Sequence, residues 1–278
     1  MRFNDVLKEA FTITWRNRWF WIAGFLILPQ LVGGYPIDFN YKPGNEFPLS
    51  DFMMIMAVAM IAGFFIFLAS IIIQPALILA TTRARTGSAM KAAEALHEGF
   101  VYAGRCLILA LLQMGCAMLL FLMLGVPIVI AFINSIILGV VVAFFFAPLA
   151  IAISVVLAII SGYAIRNIVL RNLGVGDSVV EGYRQFKATK LPSIGLLITA
   201  WLIPVVAITP LTFPVSMAKA AMTFTALNST ATTVAFFTIV TILSIPVVGY
   251  FGAFSSVLWT IAYQEWFGDG TAAPNAKF

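Results

Sequence analysis

Charge is what this chain has least of. Its 278 residues include only 16 Lys and Arg and 11 Asp and Glu, while 62% are hydrophobic. Soluble domains usually carry about 25% charged residues. A surface with so few cannot be kept in water. Histidine occurs once, at His97, near Glu94 and Glu98. One histidine with no cysteine nearby is too few ligands for a metal site, so His97 reads as a solvated residue. The two cysteines, Cys106 and Cys116, are ten residues apart on one apolar stretch. As a helix that is about 15 Å, too far for a disulfide, and both read as small buried hydrophobes. There is no glycine-rich phosphate loop, no catalytic triad and no pair of intramembrane carboxylates. The expectation is therefore a non-enzymatic protein without cofactor or metal. The net charge of +5 does not point to nucleic acid, because no basic domain exists outside the apolar runs.

What the chain does have is long uncharged runs. Residues 52–82 and 106–165 contain no charge, and 191–264 contain only Lys219. About 20 apolar residues cross a hydrocarbon core of about 30 Å. Lipid offers the backbone no hydrogen-bond partner, so a span is a helix or a closed barrel. The runs lack the alternation of barrel strands, which leaves helices.

The basic residues give an orientation. Fourteen of the sixteen fall in four groups: Arg2 to Arg18, Arg83 to Arg105, Arg166 to Lys190, and Lys277. Only Lys42 and Lys219 lie elsewhere. The positive-inside rule places these groups and both termini in the cytoplasm. The 60 residues between Arg105 and Arg166 have room for two crossings, not four. An outer turn is expected near Asn134 and Ser135. Expected spans are 19–34, 52–82, 104–133, 138–168, 192–214 and 232–264, with outer loops near 35–51 and 215–231. With Arg166 counted among the flanking basic residues, the spans read as free of ionisable side chains. Pro75, Pro127, Pro148, Pro204, Pro210 and Pro246 are candidate kinks. Val32-Gly33-Gly34 resembles a signal cleavage site, but the preceding stretch is too long and mixed in charge, so a retained first span is expected.

Three triplets suggest an internal repeat: Glu9-Ala10-Phe11, Glu94-Ala95-Leu96 and Glu181-Gly182-Tyr183, 85 and 87 residues apart. Each lies on a short amphipathic segment before an apolar run. Ser178-Val179-Val180-Glu181 reads as a capping box that starts the third segment. The expected architecture is all-α: a polytopic membrane helical bundle of six transmembrane helices. These form three parallel repeats of interfacial helix plus helical hairpin. The chain is one integral membrane domain, with units near 1–83, 84–171 and 172–266 and a tail at 267–278.

The segment from Gly174 to Tyr183, continuing through Phe186 and Lys187, resembles a known family, as does Trp259-Thr260-Ile261-Ala262-Tyr263. Both are similar to bacterial multi-pass proteins of the glycerophosphoryl diester phosphodiesterase membrane-domain family. The motifs are loose, and the likeness is diffuse over most of the chain. In that family a soluble phosphodiesterase domain can be attached. No room for one is found here, so the resemblance implies a membrane role in a bacterial inner membrane and no enzymatic activity. Mitochondrial carriers also have three basic two-span repeats, but Pro29 and Pro127 lack the acidic and basic residues that should follow.

Several residues stand out as site candidates. Trp15, Arg16, Arg18, Trp19 and Trp21, with Trp259 and Trp266 at the last span, read as membrane-interface anchors. Glu9, Glu94 and Glu181 are repeat-equivalent carboxylates, which either ring an axis or pair locally, as Glu181 can with Arg184. The intramembrane polar residues are Gln30, Gln74, Gln113, Asn134 and Ser161. Gln74 could serve backbone groups freed by Pro75 or bond another helix. Membrane lipids are the expected partners, with a membrane-protein partner as a further one. The functional expectation is a scaffold, assembly or lipid-organising factor. The alternative is a transporter or flippase-like protein for an apolar or lipidic solute, with a cavity lined by Gln74 and Gln113.

Overall fold

A computed structural model describes residues 3–27, 49–88, 90–224 and 230–268. Among these, every regular element is helical. Two short helices, α1 (Phe3–Arg16) and α2 (Trp19–Ile27), open the chain. Helix α3 (Leu49–Arg85) is followed by the short α4 (Ala92–Phe100). Helix α5 (Ala103–Leu120) runs through a π-helical turn (Phe121–Gly125) into α6 (Val126–Asn134). Then come α7 (Ile136–Arg171), the short α8 (Val175–Ala188), α9 (Lys190–Phe224) and α10 (Thr230–Phe267).

Five stretches are long and apolar enough to cross a membrane: Gly63–Arg85, Ala103–Asn134, Ile136–Arg171, Lys190–Ala207 and Pro246–Phe267. This is the framework of a multi-pass membrane protein. Of the first expected span, only Trp19–Ile27 is described. Gln30, Val32-Gly33-Gly34 and the 35–48 part of the first outer loop lie outside the described residues. The outer turn falls where expected: α6 ends at Asn134, Ser135 is extended and α7 starts at Ile136. The second outer loop is shorter than expected, because α9 stays helical to Phe224 and α10 begins at Thr230.

Pro127 sits in the first turn of α6, just after the π-helical turn. Its ring and missing N–H cannot join a regular α ladder, and the wider turn accommodates both. Helix α7 stops at Asn172, which takes a left-handed conformation (φ 54°, ψ 31°) that asparagine tolerates. The expected capping box is not formed. Helix α8 starts earlier, after an extended Gly174, and Ser178 lies inside it, its hydroxyl donating back to the Gly174 carbonyl at 2.6 Å.

The short helices α1, α4 and α8 follow one packing rule. Helix α1 lies against α10, α4 against α3 and α8 against α7. The buried faces are Val6, Ala10 and Ile13 on α1 and Ala95 and Gly99 on α4, whereas on α8 they are the small or polar Ser178, Gly182 and Gln185, with Val180 and Tyr183 left exposed. Small residues set the distance. A Cβ on Gly99 would stand 2.8 Å from the Ala76 nitrogen, and one on Gly182 2.9 Å from the Ile160 oxygen. Helices α2 and α10 meet still more closely, with Gly24 against the backbone of Gly249 and Ala253. Small residues permit such contact between membrane helices.

The core gathers at the basic end of the bundle, where Phe20, Leu77, Tyr163, Leu258 and Tyr263 are almost fully buried. The α5–α6 and α7 spans are the opposite case. Only 6% of the most apolar 18 residues of each is buried, against 78% for the α10 span, and the buried residues of α7 gather toward its Arg171 end. Ile133, Ile137 and Phe144 are left pointing outward, a surface suited to acyl chains.

Candidate functional site: a buried arginine at an intramembrane crevice

Four long helices each turn a two-turn stripe toward one crevice. On α3 it is Phe67, Ser70, Ile71 and Gln74; on α5, Cys106, Leu109, Ala110 and Gln113. On α7 it is Ala158, Ser161, Gly162, Ile165 and Arg166; on α10, Gly252, Ser255, Ser256 and Trp259. The i, i+3, i+4, i+7 spacing puts each set on a single helix face. The cavity is about 240 Å³, with Ile27 and Leu197 also in its lining. Three of the polar residues singled out in the sequence, Gln74, Gln113 and Ser161, meet here. Gln74 forms no hydrogen bond to a described residue, so it does not serve the Pro75 kink. Asn134 is elsewhere, at the outer turn, bonded to the Ile130 carbonyl at 2.8 Å.

Arg166 dominates the crevice, and here the sequence reading needs correction. It is not a flanking surface cation but a residue only 2% exposed inside the bundle. Its Nη1 donates to the Gly162 carbonyl at 2.6 Å and its Nη2 to the Ser256 carbonyl at 3.1 Å. The guanidinium carbon lies 5.6 Å from the centre of the Trp259 ring. Its Nε has no hydrogen-bond partner, and neither has the buried Ser256 hydroxyl. No carboxylate of a described residue forms an ion pair with Arg166. Arginine keeps its charge in proteins, and an unpaired buried charge is expensive. Trp259 is likewise corrected. It is 7% exposed and packs on Tyr163 and Arg166, so it is not an interface anchor.

A second depression, about 450 Å³, shares Phe67, Ala110 and Gln113 with the first. It continues past Gly63, Ile66, Met114 and Ala117, where polar side chains end. Gly63, Met114 and Ala117 are exposed, so this part opens on the lipid-facing side between α3 and α5. Together the two fall in the range of roughly 300–1,000 Å³ usual for small-molecule sites.

No family model, no curated protein and no solved structure matches this chain. The site therefore has to be judged on its own chemistry.

The other sequence candidates form the bundle's basic rim. Glu94 pairs with Arg83 at 2.6 Å, Glu9 with Arg85 at 2.7 Å and Glu181 with Arg171 at 3.3 Å. Arg184 is further from Glu181, at 3.6 Å. Each of the three carboxylates thus has its own arginine from the end of a long helix. Arg85 also binds Glu265 at 2.6 Å and Gln264 at 3.0 Å, tying α1, α3 and α10 together. Trp15 is 66% exposed beside Arg16 and Arg18, also exposed, in keeping with a collar. Trp21 instead donates to the Thr14 carbonyl at 3.0 Å, and Trp19 and Trp266 are partly buried against the core.

Between rim and crevice lies a buried network the sequence reading missed. The Tyr263 hydroxyl donates to Asn167 Oδ1 at 2.6 Å. The Asn167 and Gln185 amides exchange two bonds of 3.1 Å, and the Tyr163 hydroxyl bonds Ser193 at 2.6 Å. The signal was present for both features: apolar Ile168-Val169-Leu170 follow Arg166 and Asn167, so the span had not yet ended.

Proposed function

We propose that this chain is a lipid-holding membrane protein, which takes one lipidic amphiphile into the crevice between α3, α5, α7 and α10. The observation that carries the reading is the pairing of a buried, carboxylate-free arginine with an apolar extension open to the lipid side. This is the polarity of an amphiphile, with its head against Arg166 and its tail along Ile66, Met114 and Ala117.

The length of the crevice favours holding over passage. From Gln74 to Gly63 along α3 is about 16 Å, roughly half of a hydrocarbon core of about 30 Å. A path for a flippase or transporter has to cross the whole core. Six spans in three parallel repeats, with both termini cytoplasmic in a bacterial inner membrane, complete the reading. The cyclic packing of α1 on α10, α4 on α3 and α8 on α7 supports the repeat. In this arrangement the crevice belongs to the cytoplasmic leaflet. The role is a lipid-organising one, without catalysis.

The test is native mass spectrometry of the full chain released from membrane-derived nanodiscs. About one tightly held lipid per chain is expected, and Ala110→Trp or Ala117→Trp, which fill the apolar part, should lose it. A folded wild-type chain that releases cleanly without lipid would overturn the reading. In a vesicle assay with fluorescent lipid, exchange between leaflets is expected to stay at the protein-free rate; acceleration would favour the flippase alternative.

A further inference from the structure

The crevice also constrains the head group. We propose that Arg166, Ser256 and Trp259 form an anion site for the phosphate of a net-negative lipid head group, an inference that rests on the lipid-holding reading above. Arg166 lies five residues inside Arg171, the last residue of α7. That is about 7.5 Å along the axis, a depth that a head group drawn between the helices reaches from the cytoplasmic leaflet. Both Nη groups are spent on carbonyls of α7 and α10, which fix the guanidinium plane. The Nε is buried without a partner, and so is the hydroxyl of Ser256, another residue of the cavity lining. One donor on a fixed guanidinium plane and one rotatable hydroxyl, beside a positive charge, suit a phosphate oxygen drawn against that wall.

The lining also says what is not recognised. None of the residues around the cavity is acidic. The ammonium group of a zwitterionic lipid would enter without a counter-charge and beside Arg166. A lipid with no phosphate would leave Arg166 unpaired. A phosphatidylglycerol-type head group, with one negative charge and hydroxyls for Gln74 and Ser161, meets both conditions.

The experiment titrates the full chain in detergent with phosphatidylglycerol, phosphatidylethanolamine and diacylglycerol of identical acyl chains, and separately with inorganic phosphate. Bound species are read by native mass spectrometry and thermal shift. Wild type should hold phosphatidylglycerol about 10- to 100-fold more tightly than the other two lipids, the range expected for hydrogen bonds to a charged group. Arg166→Gln should abolish the preference, Arg166→Lys should keep part of it, and Ser256→Ala should weaken it while leaving the Ser256 carbonyl in place. Equal retention of all three lipids by wild type would overturn the anion site and leave the lipid-holding reading standing. Stabilisation by inorganic phosphate with no lipid retained would do the reverse. If Arg166→Gln fails to fold, the wild-type lipid series and Ser256→Ala decide the question.

Discussion

Replacing Asn167 by alanine tests whether the polar network between α7, α8 and α10 holds the basic end of the bundle together. Asn167 is fully buried. Its Oδ1 accepts from Tyr263 at 2.6 Å and from Gln185 at 3.1 Å, while its Nδ2 donates to Gln185 at 3.1 Å and to the Ser178 carbonyl at 3.3 Å. Removing it takes from the Tyr263 hydroxyl its acceptor and from the Gln185 amide its reciprocal pair. A buried polar group left without a partner costs about 1–3 kcal/mol. Pairs inside membrane bundles average only about 0.6 kcal/mol, because the unfolded chain in the membrane also finds partners. Gln185 and Tyr263 already stand 3.5 Å apart and can close part of the gap. The expected loss for Asn167→Ala is about 2–4 kcal/mol.

Tyr263→Phe is the matched comparison. It removes one hydroxyl and leaves Asn167 and Gln185 paired, so about 0.5–1.5 kcal/mol is expected. In the double variant the two losses should not add, since the groups share a bond. The assay is reversible unfolding in mixed micelles by titration with sodium dodecyl sulfate, followed by circular dichroism. An Asn167→Ala protein within about 0.5 kcal/mol of wild type, as for an ordinary surface change, would refute the network argument. So would full additivity.

Three other perturbations separate contacts that look alike in sequence. Gly24→Ala drives a methyl into the backbone of Gly249 and Ala253, which cannot yield as a side chain would. It should cost about 1–3 kcal/mol in the same unfolding assay, whereas Gly195→Ala, with nothing near its Cβ, should be neutral or slightly stabilising. Arg85→Gln strips Glu9 and Glu265 of a guanidinium that is 21% exposed, and should cost about 1–3 kcal/mol. Faster hydrogen exchange in α1 is the readout, and Arg83→Gln, at a 39% exposed site, should leave that exchange at the wild-type rate. In a chain with Cys106 and Cys116 replaced, single cysteines at Ser88 and Gly176 should react with an impermeant maleimide from one side of the membrane, and Ser135 from the other. Labelling of Ser88 and Gly176 from opposite faces would dismantle the six-span reading.

Much of the fold was legible because lipid allows few solutions. Uncharged runs of this length have to be helices, and the 60-residue run could hold only one turn, which falls at Ser135. Short helices before the long ones were legible from the sequence, but the buried face of α8 was not: Val180 and Tyr183 are exposed and Ser178, Gly182 and Gln185 are buried. What packs on what was not legible either. Nothing in the sequence says that Glu9 reaches Arg85, or that α1 rests on α10, since both depend on contacts across most of the chain. The start of α8 was misjudged for a local reason. Ser178 has the composition of a cap, but an extended Gly174 lets the helix begin earlier and the hydroxyl bonds inside the turn.

Arg166 shows why a site of this kind hides from composition. A cation near the end of an apolar run is usually a topological marker, and counting it so gives a consistent orientation. Its burial depends on facts from other segments: Gly162 one turn back, the Ser256 carbonyl on α10, and Trp259 covering one face. Each is unremarkable on its own helix. Brought together they hold a charge that no acidic side chain of a described residue neutralises. Gln74, Gln113 and Ser161, which alone could each serve ordinary helix contacts, line the same space. The convergence of these three polar residues on one arginine is the strongest reason to look for an anionic amphiphile there.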